Sequence, residues 1–165
     1  EVFRWIVFNT MVGNSDSHLK NISFIVGHEG ISVAPFYDLL CTAVYHTRVF
    51  LDEGAVWPNE KLASPVAGAN FFSEVTYDKL IDTGLELGLS KSAAGREVGK
   101  IVGRLADAAD EIIAQLESIL ADPAAPQGAP SPMTKAAERR MLRSIRSIVI
   151  ADMLRYVRLP VAAAK

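Results

Sequence analysis

Residues 12–40 read VGNSDSHLKNISFIVGHEGISVAPFYDLL. A polar cluster, Asn14 to Asn21, interrupts two pieces of core-like sequence. Before it, residues 1–12 carry Val2, Phe3, Trp5, Ile6, Val7, Phe8, Met11 and Val12. Apolar side chains on nearly every face predict a helix buried on most sides, stopping at Gly13-Asn14. After it, ISFIV (22–26) and ISVAP (31–35) are short β-branched runs separated by GHEG. The pattern predicts a β-hairpin over 22–35 with His28 at its tip in solvent. A second polar spot, Asp38, follows at once, and the FYDLLCTAVYH run that holds it is expected to turn helical after Asp38.

Further along, Gly54, Pro58, Pro65 and Gly68 break any period between residues 47 and 72, which reads as mostly loop. Helical signals then return. SEVTYDKLIDTGLELGL offers a cap at Ser73 or Thr76 and a stop near Gly88. From Lys91 to about Leu120, apolar residues at 98, 101, 102, 105, 109, 112, 116 and 119 mark an amphipathic helix. Residues 121–133 contain four prolines and read as a flexible connection. A last helix over 134–158 sets Met141, Ile145, Ile148 and Met153 against an arginine-rich side, followed by a tail, 159–165. The expected fold is mainly α with a small β-hairpin.

Bulk composition narrows the functional classes. The 165 residues suffice for one ordinary domain, half apolar and about a fifth charged. A formal charge of −2 argues against a dedicated nucleic-acid binder. The single cysteine, Cys41, forms no intrachain disulfide, fits a reducing cytoplasm and reads as a small core residue. There is no membrane-span-length apolar run and no signal peptide at the start of the sequence. The chain opens within a helix pattern, without a cap or an initiator methionine, and reads as a fragment of a longer protein.

The order loop, hairpin, aspartate has a chemical use. A short hairpin returns the chain to its starting point, which brings Asp38 back beside Asn21. An aspartate and an asparagine together supply oxygen ligands for Mg²⁺. Asp16 in the loop is placed to take a proton from a hydroxyl nucleophile. Kinase-type phosphoryl transfer uses this set, and Asp-x4-Asn is the spacing of the protein-kinase catalytic loop. The second motif is Tyr37-Asp38-Leu39 where a typical kinase has Asp-Phe-Gly. A plainer reading makes Asp16 and Asn21 a polar turn, Asp38 an N-cap and His18 a structural hydrogen bonder. Ser15 and Ser17 lack a Ser-His-Asp setting, and His18, His28 and His46 lack zinc spacing. Arg139, Arg140, Arg143, Arg146, Arg155 and Arg158 read as a charged solvent face in preference to a phosphate-binding one.

GNSDSHLKNISFI followed by VAPFYDLL resembles the C-terminal lobe of the HipA-like serine/threonine toxin kinases of bacterial toxin–antitoxin modules. The downstream FFSEVTYDKLIDTGLELGLS is similar to that family's helical region. The resemblance covers roughly residues 1–120 and implies the helical C-terminal lobe of a protein-kinase-like fold, with a catalytic loop at 14–21 and a metal motif at 36–40. It implies ATP and Mg²⁺, with Asp16 as catalytic base and Asn21 and Asp38 as metal and nucleotide ligands. His18 and Lys20 would contact phosphate or position Asp16. It implies a protein substrate, with aminoacyl-tRNA synthetases among such targets, and an antitoxin DNA-binding protein as partner. The family's N-terminal lobe, with its glycine-rich loop and ATP-binding lysine, would lie upstream, so the fragment alone is expected to transfer no phosphate. A non-catalytic interaction module and a small-molecule phosphotransferase are the alternative readings.

Overall fold

The computed structural model describes residues 1–121 and 131–159. Helix α1 (Val2–Met11) runs through the centre of the molecule, with Val7 and Met11 fully buried and Phe3 and Trp5 nearly so. Its burial on several faces follows from the continuous apolar composition, since no single stripe leaves a polar side for solvent. Each such side chain contributes about 1.5–3 kcal/mol on burial. Two residues later Gly13 adopts φ +70°, and the chain turns sharply into the polar loop.

Strands β1 (Phe24–Gly27) and β2 (Gly30–Val33) pair antiparallel, with Phe24 opposite Val33 and Gly27 opposite Gly30. His28 and Glu29 form the exposed turn. The strands are four residues each, one shorter than the β-branched runs, and a backbone bond from Ala34 N to Ser23 O (2.8 Å) continues the pairing beyond them.

The segment after Asp38 corrects the expected helix. Residues 39–41 have no regular structure, and Thr42–His46 form only a 3₁₀ turn. Local competition explains this. Thr42 Oγ1 donates to Gly13 O (3.2 Å) and accepts from Ser15 N (2.7 Å), and Ala43 N donates to Gly13 O (2.9 Å). Bonds to the preceding loop replace the first helical turn.

Residues 47–72 also hold more order than the sequence indicated. Strands β3 (Lys61–Val66) and β4 (Ala69–Phe71) form a second hairpin, with its register irregular between Lys61 and Val66. Its turn residues, Ala67 and Gly68, both have positive φ. Such a turn ordinarily announces itself as Asn-Gly or Asp-Gly. Ala-Gly, together with Pro65 inside the strand, hides the signal.

Thr76 caps α2 (Tyr77–Glu86), so Thr76 and not Ser73 is the N-cap, and its side chain accepts from Lys79 N. Helix α3 (Lys91–Ala121) buries Ala94, Val98, Val102 and Leu105 against α1 and α2. Its apolar stripe then outruns the core, leaving Ile112 and Ile119 exposed. The proline-rich connection lies outside the described residues for 122–130. At its end, Ser131 caps α4 (Pro132–Ser144), and Pro132 occupies the first turn. Pro132 and Met133 therefore belong to the helix, with Ser131 as its cap, and not to the connection. Proline suits this position because its missing N–H would be unpaired there in any case.

The last helix continues through a π turn (Ile145–Ile150) into α5 (Ala151–Tyr156). The wider turn puts Val149 and Ile150 both in the core, with Met153 and Val157 following. Residues 160–165, most of the expected tail, lie outside the described residues. Among the described residues, no helix is long and apolar enough to cross a membrane. The architecture is mainly α with two small antiparallel hairpins.

Candidate functional site

The polar loop is fixed from beneath by Asn14, which is 1% exposed. Its Nδ2 donates to Asn9 Oδ1 of α1 (2.8 Å) and to the backbone oxygen of Asp38 (3.1 Å). Its Oδ1 accepts from Asp16 N (3.1 Å). Asn9 in turn donates to Trp5 O (2.9 Å), so the buried helix carries the loop on a chain of satisfied amides. Ser15 Oγ lies 2.8 Å from Thr42 Oγ1, and Ser17 Oγ donates to Asn14 O (2.9 Å). The backbone of the loop is held at several points while the Asp16 side chain remains 63% exposed.

Asn21 ends a 3₁₀ turn (Leu19–Asn21) and is 5% exposed. Its Nδ2 donates to Asp16 O (3.2 Å) and to Asp38 Oδ2 (3.1 Å). The hairpin therefore returns Asp38 to Asn21, as its length predicts. Asp38 sits at φ +57°, in the left-handed region, and is not the N-cap of any helix. Asparagine and aspartate tolerate this backbone better than most residues. The conformation persists because Asn14 Nδ2 and Leu40 N both bond the Asp38 carbonyl. Tyr37 adds a clasp, donating to Lys20 O at 2.7 Å beside Ser23 Oγ (3.1 Å).

His18 and Lys20 occupy the outer side of the loop. His18 Nε2 stands 3.8 Å from Asp16 Oδ1, an ion-pair distance when the imidazole is protonated. Lys20 is exposed, and its backbone oxygen is the acceptor of the Tyr37 bond. The structure thus gathers Asp16, Asn21 and Asp38, places His18 beside Asp16 and leaves the Lys20 side chain at the rim. Cys41 stays outside this chemistry: burial pushes its thiol up to about 12, far from a usable thiolate.

The donor set suits a hard cation in one respect. The Nδ2 bonds of Asn21 fix the amide orientation, so its Oδ1 and the Asp38 carboxylate are the oxygens left available to a cation. Among the described residues, no group of three or more His, Cys, Asp or Glu is placed to hold a metal by itself. Mg²⁺ fits a two-ligand site of this kind, because it keeps waters and takes further oxygens from substrate phosphates.

Sequence reasoning missed Asn14, Asn9 and Thr42. Asn14 was legible only as a helix stop. Its function as an anchor depends on partners at positions 9, 16 and 38, a spacing with no periodic signature.

The model of the HipA-like C-terminal domain matches residues 1–116. The chain belongs to that family. A putative kinase, Y4mE of Sinorhizobium fredii, is 26% identical over 118 residues, which are 72% of this chain and 26% of that protein. The serine/threonine-protein kinase toxin HipA of Shewanella oneidensis is 38% identical over 45 residues, 27% of this chain and 10% of that protein. Among solved structures, HipA of Shewanella oneidensis in complex with HipB and its operator DNA matches with a TM-score of 0.66. That match has 23% identity and covers 93% of this chain and 30% of that one, and it shows the fold. The matched stretches thus span about a quarter of Y4mE and a tenth of the Shewanella oneidensis HipA toxin.

Proposed function

We propose that this chain is the catalytic-loop lobe of a HipA-type serine/threonine protein kinase, acting with an N-terminal lobe. One observation carries the proposal: the Asn21 side-chain amide bonds both Asp38 Oδ2 (3.1 Å) and the backbone oxygen of Asp16 (3.2 Å), whose carboxylate is exposed. Asp16 orients the acceptor hydroxyl of a protein substrate and takes its proton on a carboxylate oxygen. The new O–P bond forms as the β–γ phosphate bond of ATP breaks, and ADP leaves. Asn21 and Asp38 are the residues to hold Mg²⁺, which when bound offsets the charge of the nucleotide phosphates. Asn14 keeps Asp16 and Asp38 in register, and His18 and Lys20 supply positive charge or hydrogen bonds at the rim.

The β1–β2 hairpin exposes Phe24, Ile25, Val26 and Ile31. This apolar surface suits cover by the N-terminal lobe, whose ATP-binding lysine and glycine-rich loop the family resemblance implies. The isolated chain then transfers no phosphate. HipB in the solved relative supports an antitoxin partner here too, and aminoacyl-tRNA synthetases are the acceptor class that the family resemblance implies.

The test is phosphate incorporation from labelled ATP into serine- and threonine-bearing peptides by the full-length protein. Asp16→Asn should lower the rate about 10²–10⁴-fold. Its exposure predicts a stability change within about 0.5 kcal/mol. No incorporation by the wild type, or an unaltered rate in Asp16→Asn, would defeat the proposal.

A further inference from the structure

Strands β1 and β2 make a sheet of two, so each strand has an edge without a neighbour. Ala34 N donates to Ser23 O (2.8 Å), which makes these two residues a hydrogen-bonded pair of the antiparallel ladder. Such pairs alternate with non-bonded ones along the ladder. In the register Phe24–Val33, Ile25–Ser32, Val26–Ile31, the backbone groups of Ile25 and Ser32 therefore point into the hairpin. Those of Phe24, Val26, Ile31 and Val33 point outward. Among the described residues, the backbone of Ile31 or Val33 makes no hydrogen bond to another element.

The two edges differ in what faces them. Ile31, Ser32 and Val33 all line a groove of about 730 Å³, and no β1 residue does. The side chains of Ile31 and Val33 stand on one face of the hairpin and that of Ser32 on the other. A groove touched by all three follows the outer rim of β2. Its far wall includes Phe3 and Arg4 from the first turn of α1, Leu87 and Leu89 after α2, and Ala93 on α3. Ile31 and Leu87 are both exposed across this space.

An open strand edge is ordinarily protected by a charge, a proline or a bulge. Gly30–Val33 carries neither charge nor proline, and its register is regular. Two outward N–H groups and two outward C=O groups, two residues apart, match an extended chain lying about 4.8 Å away. A helix does not match them, because its own backbone groups are spent internally. The apolar part of the far wall suits the alternate side chains of an added strand.

We propose that an extended segment of the N-terminal lobe lies in this groove as a third strand on β2, an inference that rests on the kinase reading above. Two observations favour this occupant. Glu1, where the upstream chain of such a kinase joins α1, lines the same groove. The match to the solved HipA covers 30% of that chain, so most of a HipA-type protein lies outside this lobe.

NMR of the full-length protein, isotope-labelled at isoleucine and valine, tests the strand. Ile25 reports on the hairpin itself, Val26 on the outer edge of β1, and Ile31 and Val33 on the groove edge. The Ile31 and Val33 amides should exchange about as slowly as Ile25 and at least about 10²-fold more slowly than Val26. Backbone NOEs should join residues 31–33 to a segment upstream of Glu1. Val33→Pro removes one outward donor and leaves the Ile25 bond in place. It should speed Ile31 exchange at least about tenfold, and Val33→Ala, which keeps the N–H, should not.

Fast exchange at Ile31 and Val33 beside a slow Ile25 overturns the strand, as does an Ile31 amide indifferent to Val33→Pro. NOEs from residues 31–33 to a different chain overturn the occupant. Slow exchange at Val26 as well, without the upstream NOEs, means general cover of the hairpin and overturns the strand too. Should Val33→Pro also free Ile25, the hairpin has melted, and the wild-type exchange and NOEs decide. Phosphate transfer from ATP, measured on the same protein, separates the two readings. Transfer with an open β2 edge removes the strand and leaves the kinase, and a paired edge without transfer keeps the strand and removes the kinase.

Discussion

The Asn21 side-chain amide donates to Asp38 Oδ2 across the base of the β1–β2 hairpin at 3.1 Å. Seventeen residues separate the two, and the hairpin alone closes the distance. The bond orients the Asn21 amide and holds one carboxylate oxygen of Asp38.

On the proposed kinase reading, this pairing should make Mg²⁺ dependence sensitive to Asp38. In the full-length protein, Asp38→Asn keeps the size of the side chain but removes its charge. The Mg²⁺ concentration for half-maximal phosphate transfer should rise by at least about tenfold, equivalent to roughly 1.4 kcal/mol. A titration at fixed ATP reads this directly, and an unchanged midpoint would place the metal elsewhere.

Asn14 should behave as a positioning residue. Asn14→Ala removes its bonds to Asn9, Asp38 and Asp16 and leaves the buried Asn9 Oδ1 without its partner. The expected loss is about 2–3 kcal/mol, seen as a lower urea midpoint at constant slope. The Mg²⁺ midpoint should shift as well, because the Asp38 backbone loses its tether. A stability loss with an unaltered Mg²⁺ midpoint would make Asn14 a purely structural residue.

Gly13 is required for two separate reasons. Its φ of +70° disfavours any side chain, and an added Cβ would meet Val149 Cγ1 at 2.6 Å and Ala43 Cβ at 2.8 Å. Gly13→Ala should cost about 1–3 kcal/mol from overpacking alone. Combined with Val149→Ala it should cost less than the sum of the two single changes, since the contact is then relieved. Strict additivity in thermal or urea unfolding would assign the effect to the backbone and the Ala43 contact.

Arg4 on α1 and Glu97 on α3 form an ion pair, Nε to Oε2, at 2.6 Å, and Lys100 joins at 3.0 Å. Hydrogen bonds from Arg4, and then from Lys100, hold the Glu97 carboxyl below its usual range. A carboxyl depressed in the folded state contributes stability above its unfolded pKa, near about 4.3, and loses it as pH falls through the folded value. Glu97→Gln should therefore be less stable than the wild type at pH 7, with the gap closing in acid. The pair is exposed to solvent, so salt should shrink the gap too. A pH-independent difference between the two proteins would exclude the linkage.

Helices were the most legible part of the sequence. The all-round apolar run of α1, the Thr76 cap and the stripe through Val98, Val102 and Leu105 all depend on neighbours within one or two turns. Less was legible where partners lie far apart. The β3–β4 hairpin turns on Ala67-Gly68, which lacks the usual composition, and Pro65 disguises its first strand. The run after Asp38 has helical composition, but Thr42 spends its hydroxyl on Gly13 and Ser15. At the other end of the chain, the π turn at Ile145–Ile150 shifts the buried side so that Val149 and Ile150 enter the core together.

The sequence by itself determined the order of the chemistry: a buried helix, an Asp-x4-Asn loop, a hairpin, then an aspartate. Those features are local, and spacing along one chain encodes them. Tertiary structure decided what holds them in place. Asn14 reaches back to Asn9 and forward to Asp38, Thr42 reaches back to Gly13, and Val149 closes on Gly13 from the last helix. A hydrogen bond or a close contact between distant positions leaves no period in the sequence. It exists only once the intervening chain has folded and excluded water from the groups that then have to pair.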